Sequence, residues 1–191
     1  MRVLLAFAVL LALPACDGAA SSDALAENTF SLQVGDGAPE TRAEAHVGSY
    51  VSATSGPTVA LVLGARPLSA PLSLTAPAVG FAYDGGAVTP GTYPLVAVNP
   101  AGDPPSGAFI GVFLDPAAYV ASQPGRAGFY YTGAGSITIE TIDGERARGT
   151  FDMTAVELGA DFTPSDVEVH VSGAFHALHT DAFGDEESFW R

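Results

Sequence analysis

Beyond residue 29, no apolar run survives more than a few positions before glycine, proline, asparagine or aspartate stops it, and within the runs apolar and polar residues tend to alternate. Such punctuation disfavours a helical fold. A helix that buries one face needs about ten or more uninterrupted residues with apolar positions three and four apart, whereas a half-buried strand needs only roughly four to eight with a period of two. The 22 glycines and 14 prolines of the 191-residue chain are dispersed, so turns are spread along its whole length. Phe30, Leu32 and Val34 alternate with Ser31 and Gln33 until Gly35-Asp36-Gly37 breaks the pattern. Further strands are expected over residues 47–53, 58–63, 71–75, 79–83, 91–98, 108–114 and 128–132. Their spacing of about ten residues gives an all-β class: an antiparallel β-sandwich or barrel of about 8–10 short strands. Residues 104–107 read as a loop, and residues 116–122 as a single helical turn.

The clearest element is a β-hairpin over residues 135–155. Ile137, Ile139, Ala147, Phe151 and Met153 share one parity, while Thr138, Glu140, Arg146, Arg148, Thr150 and Asp152 share the other, with Asp143-Gly144 between the arms. In the register this favours, Ile137 faces Phe151 and Ile139 faces Gly149 on the dry side, while Thr138 faces Thr150 and Glu140 faces Arg148 on the wet side. A slip of one residue sets Ile139 against Arg148 on the buried side and is disfavoured. After a loop at 159–165, Val167, Val169 and Val171 alternate with Glu168 and His170, which places the valines inward, and the last strand is expected to close near Leu178.

The first residues read differently. Met1-Arg2 are followed by eleven apolar residues, 3–13, too few for a bilayer core of about 30 Å but suited to the h-region of an export signal. The run ends Leu13-Pro14-Ala15-Cys16, and Cys16 is the only cysteine. This ending resembles the lipobox of bacterial lipoproteins, in which cleavage precedes the cysteine and the new terminus is acylated. The resemblance implies a lipoprotein signal peptide over 1–15 and localisation in the cell envelope, with the membrane as partner through acylated Cys16. The rival reading is an ordinary secretory signal with Cys16 an incidental thiol, which a lone cysteine in an exporting cell makes unattractive. Several acyl chains, each buried methylene contributing about 0.8 kcal/mol, hold a protein to a membrane without a spanning helix. Residues 16–28 then read as a lipidated flexible tether with a reach of roughly 20 Å, residues 29–179 as one all-β domain, and residues 180–191 as an acidic and aromatic tail.

Composition removes several function classes. All seven basic residues are arginine, so Schiff-base, lysine-base and Walker-A chemistry have no amine to use. A formal net charge of −14 disfavours nucleic acid, whose phosphates it repels. No second cysteine, Gly-x-Ser-x-Gly elbow or His-Glu-x-x-His helix is present. A metal reading rests on His176, His179 and Asp181, which converge only if the chain bends after Phe175. His170 and His176 cannot share an ion on one strand, because six residues of strand span about 20 Å. Phe189 and Trp190, set among Asp185, Glu186 and Glu187, are candidates for folding back onto the domain or entering a partner. No cofactor is expected.

Gly135-Ser136-Ile137-Thr138-Ile139, Gly149-Thr150-Phe151 and Val171-Ser172-Gly173-Ala174-Phe175, preceded by Gly91-Thr92-Tyr93, carry a further likeness. Residues 90–178 resemble the carboxy-terminal half of an uncharacterised family of all-β bacterial lipoproteins. The resemblance implies an envelope-anchored β-domain and brings no catalytic residues. The expected function is binding or scaffolding, with a protein or glycan partner in the envelope. The alternatives are an envelope hydrolase without a motif-defined site and a hollow barrel carrying an apolar ligand.

Overall fold

The computed structural model describes residues 21–52, 56–64, 76–83, 85–97, 107–117, 128–159 and 163–181. Its strands are β1 (Thr29–Val34), β2 (Glu40–Ala43), β3 (Ala45–Ser52), β4 (Gly56–Leu63), β5 (Ala78–Tyr83), β6 (Gly91–Val96), β7 (Phe109–Leu114), β8 (Phe129–Ile142), β9 (Arg146–Leu158) and β10 (Pro164–His179). One sheet joins them in the order β2-β1-β10-β3-β4-β5-β7-β6-β8-β9. Because β9 also pairs with β10 and β7 with β8, the ladder returns on itself through β3-β4-β5-β7-β8-β9-β10-β3. The last link is short. Leu178 and His179 run parallel to His46 and Val47, and the Thr180 N–H donates to the Val47 carbonyl at 2.8 Å. Strand β2 remains at an edge, where the ion pair of Arg42 with Glu40 at 2.5 Å puts charge on a rim that could otherwise pair with another chain.

The all-β architecture expected from strand spacing is therefore found, with two differences. The sheet is mixed rather than antiparallel, since β10 meets β3 and β6 meets β7 in parallel. Three strands are also long: β8, β9 and β10 have 14, 13 and 16 residues. The break expected between Thr132 and Gly135 is absent. The register instead shifts between Thr132 and Ala134, and Gly135 continues the strand at φ 148°, where a Cβ would strike the Asp152 carbonyl. The register shift at Gly133 and the extended Gly135 interrupt the regular ladder without ending the strand. Strand β2 was not legible because Glu-Thr-Arg-Ala carries no apolar alternation. Asp115 accepts the Ala117 N–H at 2.9 Å at the start of the expected helical turn. Residues 118–122, the strand expected at 71–75, residues 1–20 and the tail from 182 lie outside the described residues.

Inward-facing side chains form one cluster that draws on both sides of the ring. Phe30, Ile137, Met153, Val171 and Phe175 are fully buried, each contributing roughly 1.5–3 kcal/mol against exposure. Across the interior, the Phe81 ring of β5 lies 5.1 Å from that of Phe151 on β9. On β10 the inward order of the valines fades toward the start. Val171 is buried and Val169 packs on the core, but Val167 is 42% exposed, because the register shifts between Pro164 and Glu168.

The central hairpin register agrees with the sequence for Ile137↔Phe151, Thr138↔Thr150 and Ile139↔Gly149. It then shifts, so that Thr141 and not Glu140 faces Arg148. The expected Glu140/Arg148 pair is replaced by contacts to residues 21–28, the second half of the expected tether. There a short 3-10 turn, Ser22–Ala24, lies on β9 and β10. The buried Ser22 hydroxyl donates to the Glu140 carboxylate, and Arg148 donates to the Ser22 carbonyl at 3.0 Å and pairs with Asp23 at 3.3 Å. Arg146 reaches Glu27 at 3.0 Å, and Asn28 accepts the Ala45 N–H at 2.9 Å. At the hairpin tip, the Glu145 and Arg146 N–H groups donate to Asp143 and hold its carboxyl below the usual range.

Arg148→Ala is expected to loosen this strap at a cost of about 1–2 kcal/mol, since one charged hydrogen bond and one screened ion pair are lost. Hydrogen exchange checks it. The Leu25 amide, bonded to the Ser22 carbonyl at 3.1 Å, should exchange faster while the β9 amides do not change.

Candidate functional site: a hydroxyl-lined hollow on the outer wall

The alternation that buries Ile137, Phe151, Val171 and Phe30 turns their neighbours outward, and strand pairing sets those neighbours in rows whose members are about 4.8 Å apart. One row runs Thr92, Thr138, Thr150, Ala174, Ser31 and Thr41 across β6, β8, β9, β10, β1 and β2. The next runs Ser136, Asp152, Ser172 and Gln33. Nearly all these side chains are short, so the wall is dished where the two rows adjoin. The hollow there is about 190 Å³. That volume suits a ring-sized group, well below the roughly 300–1,000 Å³ of drug-sized pockets.

Its polar lining residues are Ser136, Thr138, Thr150 and Ser172, with Gln33 and Asp152, and Ser31 lies beneath them with its hydroxyl buried. Pro39, Phe151 and Gly173 complete it, and among the described residues no cationic side chain contributes. Ser31 is 4% exposed, and its hydroxyl has no hydrogen-bond partner among the described residues. An unsatisfied buried hydroxyl costs about 1–3 kcal/mol. Thr92 and Thr138 hydroxyls bond each other at 2.9 Å at the hollow's β6 side.

At the rim, His170 Nε2 lies 3.0 Å from Asp152 Oδ2, and Ser172 stands opposite Asp152 on the neighbouring strand. The residue types of a hydrolytic triad are thus close together, but their connections differ from one. The imidazole bonds the carboxylate through Nε2, no serine is bonded to it, and the His170 and Asp152 side chains are half-exposed or more. Nothing in that arrangement draws a proton from a serine. Among the described residues Asp152 is also the single carboxylate lining the hollow, so they do not assemble there the acid pair used in glycoside hydrolysis.

Of the metal candidates, His179 Nε2 and Asp181 meet at 3.1 Å, whereas His176 is buried beneath the strap with Nδ1 at 3.2 Å from the Leu25 carbonyl. The three do not form a ligand set. Among the described residues no three His, Cys, Asp or Glu side chains gather as a metal requires. Cys16, Phe189 and Trp190 lie outside the described residues. No family model, curated protein or solved structure matches this chain.

The hollow's residues were only partly visible beforehand. Thr138, Thr150 and Asp152 fall on the wet side of the hairpin by parity alone. Ser31, Gln33 and Ser172 join them only through the β1–β10 ladder, which no local pattern announces.

Proposed function

We propose that this chain is an exported lipoprotein, held at a bacterial envelope membrane through acylated Cys16, whose β-domain binds or scaffolds instead of catalysing. The hollow carries the binding half of this reading: it concentrates donors and acceptors on an outer wall without an activated nucleophile or an acid pair. Among the described residues buried apolar side chains meet across the interior, Phe81 with Phe151 at 5.1 Å, which favours an external binding surface over an apolar carrier whose ligand would need that space. Leu13-Pro14-Ala15-Cys16 and the preceding apolar run support the anchoring half, and the strand motifs between Gly91 and Phe175 support kinship with all-β envelope lipoproteins.

Cys16→Ser tests the anchor. In cells fed labelled palmitate, the variant is expected to lose the label and to leave the membrane fraction. Undiminished labelling would end the lipoprotein reading.

A further inference from the structure

The hollow's chemistry narrows what it takes. Hydroxyls both donate and accept, so four of them around one depression match a ligand that also does both at many points. An apolar ligand would leave that lining unpaired. An anionic one, such as a phosphate or a uronate, meets no cationic lining residue among those described, faces Asp152, and approaches a chain of net charge −14.

We infer that this hollow binds one pyranose ring of a neutral or amino-sugar glycan. Thr138, Thr150 and Ser172 exchange hydrogen bonds with ring hydroxyls, and Asp152 accepts from a hydroxyl or, more strongly, from an ammonium. The inference rests on the reading of the domain as a binding module and gives that reading a ligand class.

The test is a titration of the isotope-labelled full chain, in detergent micelles, with cellotriose, a glucosamine trimer and a galacturonate trimer. The first two are expected to give saturable amide shifts at Thr138, Thr150, Asp152 and Ser172, and the third none. Thr150→Val and Ser172→Val, both conservative on an outward strand face, should each weaken the first two by about tenfold. Asp152→Asn should weaken the glucosamine trimer about tenfold more than cellotriose. Absence of saturable shifts with both, shifts mapping elsewhere on the barrel, or equal binding of galacturonate would overturn the inference. Because the wild-type shift map decides by itself, the result survives a variant that fails to fold. Loss of the sugar with palmitate labelling intact removes this inference alone. Loss of labelling at Cys16 bears on the anchor alone.

Discussion

Ile137→Asp is expected to destabilise the domain by about 4 kcal/mol or more, while Thr138→Asp one position away should cost about 1 kcal/mol or less. The contrast follows from facing. Ile137 is fully buried opposite Phe151, so the substitution removes a packed side chain, worth about 2–5 kcal/mol on truncation, and places a carboxyl where it has no partner. The carboxyl would be forced to stay protonated, which adds a pH dependence: the variant should lose further stability as pH rises through and above the normal carboxylate range. Thr138 points outward and gives up one hydroxyl pair with Thr92, in a setting where water solvates the new charge. Urea denaturation of both variants decides it. Similar losses from the two would place the wrong face of the hairpin against the core. A loss near 4 kcal/mol is a large part of the 5–15 kcal/mol that holds an ordinary domain together, so Ile137→Asp could leave little folded protein at 37 °C.

The same pair shows why part of the fold was legible and part was not. Period-two alternation is a property of each strand, so the inward set of Ile137, Ile139, Phe151 and Met153, and the register that pairs Ile137 with Phe151, could be read directly. The shift after Ile139 could not. It places Glu140 against Ser22 and Arg148 against Asp23, and the residues that reward it lie on a polar segment without periodicity, remote in sequence. For the same reason residues 21–28 read as a free tether when they are a strap. The hollow sits between these cases: each outward residue was visible by parity, yet its neighbours across β8, β9, β10 and β1 are set by ring closure. The parallel contact of β10 with β3 is two residues long and leaves no local mark at all.

Two motifs in the sequence prove to be halves of one packing device. Gly149-Thr150-Phe151 on β9 and Gly173-Ala174-Phe175 on β10 run antiparallel, so that Phe175 faces Gly149 and Phe151 faces Gly173. Each ring takes the inward space that its glycine leaves empty: a Cβ at Gly149 would lie 2.8 Å from Phe175 Cζ, and one at Gly173 would lie 2.8 Å from Phe151 Cζ. Each would also fall against backbone of the next strand, the Thr138 carbonyl for Gly149 and the Ser31 carbonyl for Gly173. This reverses the usual sign of a substitution. In an ordinary strand interior, replacing glycine by alanine gains about 0.5–1 kcal/mol, because the unfolded chain has less freedom to lose. Gly173→Ala is instead expected to cost about 2–4 kcal/mol, since neither a paired carbonyl nor a packed ring can retreat without disturbing the ladder. Its dependence on Phe151 separates the two obstacles. Phe151→Ala alone should cost about 3–5 kcal/mol through the cavity it opens beside Phe81. If the carbonyl dominates, as backbone rigidity requires, Gly173→Ala keeps most of its cost in the Phe151→Ala background and the double-mutant coupling stays below about 1 kcal/mol. A cost that disappears in that background would put the obstacle in the ring. A stabilising Gly173→Ala would mean that β9 and β10 are not packed as described.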